Sequence, residues 1–137
     1  MKVLANDGIS QSGIDALEAK GFEVITTNVA QEQLISYINE NEVTVLLVRS
    51  ATTARKELVD SCPSLKIIGR GGVGMDNIDV AYAREKGLNV INTPASSSAS
   101  VAELVFAHLY GGVRFLHDSN RNMPLEGESN FKGLKKA

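Results

Sequence analysis

Eleven residues from Gly69 to Asp79, GRGGVGMDNID, bring together four glycines, one arginine and two aspartates. Glycines at 71, 72 and 74 let a backbone adopt positive φ and expose amide N–H groups that no side chain shields. A helix expected directly afterwards adds the partial positive charge of its N-terminus. A second arginine, Arg49, closes an apolar run and is followed by Ser50 and Thr52. An arginine directly after a buried strand must leave the core. Two of them at one end of a sheet, beside bare amides, suit a small anion. The loop is not a dinucleotide fingerprint: it lacks the G-x-G-x-x-G spacing, follows the fourth strand rather than the first, and has no acidic residue about twenty positions on. No lysine and hydroxyl close it as a P-loop would. A tight strand-to-helix turn, with glycines chosen for geometry alone, is the competing reading.

The elements that would position these residues are legible as an alternation. KVLAN, EVITT, TVLLV, KIIG and NVIN are short apolar runs of the kind buried on both faces of a parallel sheet. Between them lie helical stretches. Ser12 to Lys20 opens on a capping-box pattern and stops at Gly21, Asn28 opens the next, Thr53 to Asp60 forms a shorter one, and Asp76 or Asn77 caps IDVAYAREK before Gly87. Five strands alternating with helices predict an α/β fold, a doubly wound five-stranded parallel sheet of order 2-1-3-4-5. Ligands of such sheets bind outside the carboxyl ends of the strands. There the first strand delivers Asn6, Asp7 and Gly8, the third Arg49, Ser50 and Thr52, the fourth Arg70 and the glycines, and the fifth Asn92, Thr93 and a serine run.

Residues 1–99 read as this domain, 100–117 as a further helix, and the polar, breaker-rich residues 118–137 as a linker. The helix, SVAELVFAHLYGGVRFL, begins with S-x-x-E at Ser100 and is apolar around nearly its whole circumference, interrupted mainly by Glu103, His108 and Arg114. Such a helix needs cover on more than one side: it could fold back on its own sheet or pair with the same helix of a second chain, with Gly111-Gly112 as a bend or hinge, and a homodimer through residues 100–116 is the favoured expectation.

The whole chain sets outer bounds. Its 137 residues, 43% hydrophobic and 22% charged, suffice for one ordinary core. A net charge of −2, with scattered lysines and arginines, offers no footprint for nucleic acid. No apolar run reaches membrane-spanning length, and the opening MKVLANDG reads as a strand where a signal peptide would lie, so a cytoplasmic location is expected. The single cysteine, Cys62, has no partner for a disulfide or a metal pair and suits a buried structural thiol.

Taken in order, VRSATT at 48–53, GRGGVGMDNID at 69–79, KGLNVINTP at 86–94 and SVAELVFAHL at 100–109 resemble the substrate-binding domain of the D-2-hydroxyacid dehydrogenases. The resemblance implies a flavodoxin-like domain that closes over a small 2-hydroxy or 2-oxo acid, in an enzyme that uses NAD. Carried over by position, the amides of Gly72, Val73 and Gly74 would hold the substrate carboxylate, with Val73 also near the nicotinamide. Arg49, Ser50 and Arg70 would line the polar side, where a phosphate could lie, and Ser97 would add a polar group after the fifth strand. Val73 departs from the small or hydroxyl-bearing residues more usual at its position, which leaves only the backbone contact there. The resemblance places the arginine, histidine and acidic residue of hydride transfer in a nucleotide-binding domain expected beyond residue 137, and makes residues 100–117 the helix that crosses between the two domains. It implies that this chain by itself binds no NAD and is inactive. His108, on an apolar helix, and His117, beside Asp118, suit packing or solvent rather than catalysis. A free-standing flavodoxin-like domain, structural or anion-binding and without catalysis, is the alternative. A phosphoacceptor receiver fits less well, because Arg49 and Ser50 stand where its carboxylate would, and no hydroxyl-rich loop follows the first strand to hold a flavin.

Overall fold

A computed structural model describes residues 1–134. Five strands, β1 (Lys2–Ala5), β2 (Glu23–Ile25), β3 (Val45–Val48), β4 (Ile67–Arg70) and β5 (Asn89–Asn92), form one parallel sheet of order β2-β1-β3-β4-β5. The register pairs Leu4 with Leu46, Leu46 with Ile68 and Ile68 with Val90, so one apolar row crosses four strands on a single face. Onto this row pack α2 (Leu34–Glu40), α3 (Lys56–Ser61) and α4 (Val80–Glu85), through Leu34, Ile38, Leu58, Val59 and Ala83. A short 3-10 turn, Gln31–Gln33, leads into α2, and α1 (Gln11–Glu18) packs against β2. Cys62 lies in the same core, where burial pushes its thiol up to about 11, so it is a small buried apolar group and a poor nucleophile.

Helix ends depart from the expected caps. Ser10, not Ser12, caps α1, its hydroxyl accepting the amide of Gly13 at 3.3 Å. Asn28 donates instead to the carbonyl of Asn6 at 2.8 Å. The third helix begins at Lys56 rather than Thr53, because the carboxylate that accepts the Lys56 amide belongs to Asp79, a residue 23 positions away. Asp79 itself stands at the N-cap of α4, so neither Asp76 nor Asn77 does. At Asn28, Asn77 and Asp79 the Asx side chain is drawn to a backbone group of another loop that only the folded sheet brings near.

The chain divides after Ser96 into two units. The second contains α5 (Ser98–Val113) and α6 (Leu116–Leu134). Ser100 lies inside α5 and forms no capping box, and Ser97 occupies the N-cap position without a side-chain cap bond. The helix runs straight through Gly111 and Gly112 and breaks later, at Phe115, whose φ is 51°. The segment expected as a linker is helical as far as Leu134, and residues 135–137 of it lie outside the described residues. Large apolar side chains of α5, from Val101 to Val113, are 53–62% exposed.

Candidate functional site

Three loops meet at the carboxyl ends of β1, β3 and β4, and a network of short hydrogen bonds ties them together. Asp7, just after β1, accepts the amides of Arg49 (2.6 Å) and Thr52 (3.1 Å) on one carboxylate oxygen and the Thr52 hydroxyl (2.5 Å) on the other. Burial, the largest single influence, pushes the Asp7 carboxyl up. The Thr52 hydroxyl and the backbone N–H groups of Arg49, Thr52 and Ala51 together outweigh it and hold Asp7 below the usual carboxylate value. The neighbouring Asn6 is buried and fully used: it donates to the Val29 carbonyl and the Thr52 hydroxyl and accepts the Val29 amide. Neither residue is available to a ligand; both brace the loop that carries Arg49.

The glycine loop after β4 has a different geometry from the one its glycines suggest. None of Gly69, Gly71, Gly72 or Gly74 has positive φ, whereas Gly8, Gly21 and Gly87 do. The reason for glycine here is space. A Cβ on Gly72 would lie 2.5 Å from Nη1 of Arg70, one on Gly74 3.1 Å from the Asp76 carboxylate, and one on Gly69 2.8 Å from the Leu47 side chain. Arg70 is therefore folded back over its own loop. Its Nε donates to the Arg49 carbonyl at 3.2 Å, and Nη1 rests against the Gly72 backbone.

The amides divide into two sets. Those of Gly71 and Gly72 are spent on the carbonyls of Val48 (2.9 Å) and Arg70 (3.0 Å). The end of β5 holds the loop from the other side, the Thr93 amide donating to the Gly72 carbonyl at 3.2 Å and Asn92 to the Val73 carbonyl at 2.7 Å. Among the described residues the amides of Val73 and Gly74 have no acceptor in the protein. The expected cradle of Gly72, Val73 and Gly74 thus narrows to the last two. The Val73 side chain is 52% exposed and free to touch a group outside the loop.

Ion pairs among the described residues join Arg55 to Asp79 and Lys86 to Asp60, and neither Arg49 nor Arg70 takes part in one. The β3 and β4 loops thus present two cationic side chains uncommitted to a carboxylate, beside two free amides, with Ser50 exposed between them in sequence. Ser97 belongs to the second unit, and Ser100 and Glu103 lie within α5. Asn77, expected first as a helix cap, instead holds the neighbouring loop. It is buried, and its Nδ2 donates to the carbonyls of Arg49 (2.9 Å) and Thr52 (2.7 Å). Its position just before a helix pointed to a cap and hid this role.

Whether these residues could hold a dinucleotide is decided at the end of β1. A pyrophosphate needs a glycine-rich turn and a helix N-terminus there; this chain has the anionic Asp7, bonded into the β3 loop. The groups present do not form such a site, and no clusters suited to a metal ion occur among the described residues.

Comparison with known proteins agrees with this architecture. Residues 3–123 match the family described as D-isomer specific 2-hydroxyacid dehydrogenase, catalytic domain. A D-3-phosphoglycerate dehydrogenase of Methanocaldococcus jannaschii is 36% identical over 98% of this chain and 26% of its own length. A hydroxypyruvate reductase of Thermotoga maritima is 37% identical over 98% of this chain and 43% of its own. The crystal structure of an NAD+-bound 3-phosphoglycerate dehydrogenase of Entamoeba histolytica superimposes with a TM-score of 0.66 at 29% identity, covering 83% of this chain and 39% of that one. The chain therefore spans less than half the length of each of these relatives. With the match covering the sheet and the glycine loop alike, the chain belongs to the D-isomer specific 2-hydroxyacid dehydrogenase family, in the part described as its catalytic domain.

Proposed function

We propose that this chain is the substrate-binding half of an NAD-dependent D-2-hydroxyacid dehydrogenase, and that its substrate is 3-phosphoglycerate, oxidised to 3-phosphohydroxypyruvate on the way to serine. The observation that carries the reading is Arg70, folded over the glycine loop with no carboxylate partner and anchored by its Nε, so that its remaining N–H groups are left for an anion. The free amides of Val73 and Gly74 suit a substrate carboxylate, and Arg49 and Ser50 suit its phosphate. NAD, bound by another domain with Val73 against its nicotinamide, supplies the hydride acceptor. The residues of this chain orient the acid and exclude water. The phosphorylated acid, rather than the unphosphorylated one of the hydroxypyruvate reductase, is supported by the several D-3-phosphoglycerate dehydrogenases among the relatives. The exposed apolar surface of α5 would be covered by the same helix of a second chain.

A shift titration tests this. Inorganic phosphate and 3-phosphoglycerate should move the amides of Val73 and Gly74 and the side-chain resonances of Arg49 and Arg70, with dissociation constants of about 1 mM, since only half of a closed site is present and ~4 kcal/mol corresponds to that affinity. The same sample supplied with NAD should give no turnover. Shifts confined to other residues, or cofactor-saturable activity of the pure chain, would overturn the reading.

A further inference from the structure

The Arg49 carbonyl accepts two hydrogen bonds, one from Nδ2 of Asn77 at 2.9 Å and one from Nε of Arg70 at 3.2 Å. The same Asn77 nitrogen collects the Thr52 carbonyl at 2.7 Å. The Asn77 backbone carbonyl in turn accepts the amide of Ala54 at 2.9 Å. One buried amide side chain, on the loop that carries the free N–H groups, thus fixes the loop that carries Arg49 and orients the acceptor on which Arg70 is hung. Asp7 holds that same stretch from the opposite side, through the amides of Arg49 and Thr52. The Oδ1 of Asn77 is buried without a partner, a cost the fold bears while both donor hydrogens are used.

We propose that Asn77 is a positioning residue of the anion site: it sets the direction of the Arg70 guanidinium through the Arg49 carbonyl, so that the two cationic side chains and the free glycine-loop amides form one preorganised cradle. The assignment rests on the function proposed above for that cradle. Asn77 touches no ligand in this account. Its part is to remove the freedom Arg70 would otherwise have to lose on binding, which is where a rigid site gains affinity.

The test compares the intact chain with Asn77→Ala and, as a control for a lost side-chain-to-carbonyl hydrogen bond at an exposed position elsewhere, Asn39→Ala, whose side chain reaches the Ser61 carbonyl at 2.8 Å. Two readings are taken: exchange of the Arg70 Nε proton with no anion present, and the phosphate titration. Asn77→Ala should speed the exchange and raise the phosphate dissociation constant about tenfold, the equivalent of one hydrogen bond's worth of preorganisation. Asn39→Ala should change neither, even if it lowers the melting temperature as far. Unaltered Nε exchange in a folded Asn77→Ala chain overturns the positioning role. If the unsubstituted chain binds no phosphate, the functional reading fails, and the positioning role is then decided by the exchange rates alone.

Discussion

At Gly72 the backbone conformation would accept any residue, and only the guanidinium of Arg70 excludes a side chain. That atom is the far end of a flexible side chain, so Gly72→Ala should displace Arg70 and leave the fold intact. The expected result is a change in unfolding free energy within about 1 kcal/mol, with phosphate binding weakened and the Arg70 Nε proton no longer protected. A large loss of stability would show the glycine to be structural after all. Asp7 is the opposite case, a charged side chain whose partners are all structural. Its folded pKa is depressed, so the stability it contributes is complete above the unfolded value near 3.9 and is lost as pH falls through the lower folded value. Asp7→Ala should cost roughly 2 kcal/mol at neutral pH, by orphaning two amides and a hydroxyl. It should also flatten the dependence of the melting temperature on pH below about 4; a slope equal to that of the unsubstituted chain would refute the assignment.

Strands and their order were legible in the sequence because buried parallel strands leave uninterrupted apolar runs, and TVLLV or KIIG admit little else. The arginines were legible as well, each lying directly after such a run. Helix starts were not, and the glycine loop was only half so. Asn28, Asn77 and Asp79 could cap the next helix or bridge to another loop, and the choice depends on what the folded sheet places within 3 Å, which local spacing does not encode. The glycines announced a special backbone, but the missing Cβ atoms serve a side chain folded over them. The helix α5 carries its own prediction. Val101, Leu104, Val105, Phe106 and Leu109 are each more than half exposed, and at ~25 cal/mol per Å2 covering even a few of them amounts to several kcal/mol. Light scattering over a concentration series should show a dimer that Phe106→Ser with Leu109→Ser dissociates; a monomeric mass up to high micromolar concentration would reject self-association.

For the molecule as a whole, no described helix is long and apolar enough to cross a membrane, and the core lies among the sheet and the helices α2, α3 and α4. The cradle stands at the sheet's carboxyl end, where its groups come from Asp7, Arg49 to Thr52, and Arg70 to Asn77. In the order β2-β1-β3-β4-β5 the strand β1 lies inside the sheet, yet its partner β3, the central strand, arrives only after β2, α2 and their connections have been laid down. Every ladder is parallel, so each pairing must close a long loop before any cross-strand bond rewards it. The three arms of the anion site are therefore joined only when β1, β3 and β4 are already side by side. If phosphate binds as proposed, competence to bind it becomes a clock for sheet assembly: a refolding chain acquires it late, with the ladders that set β1, β3 and β4 side by side.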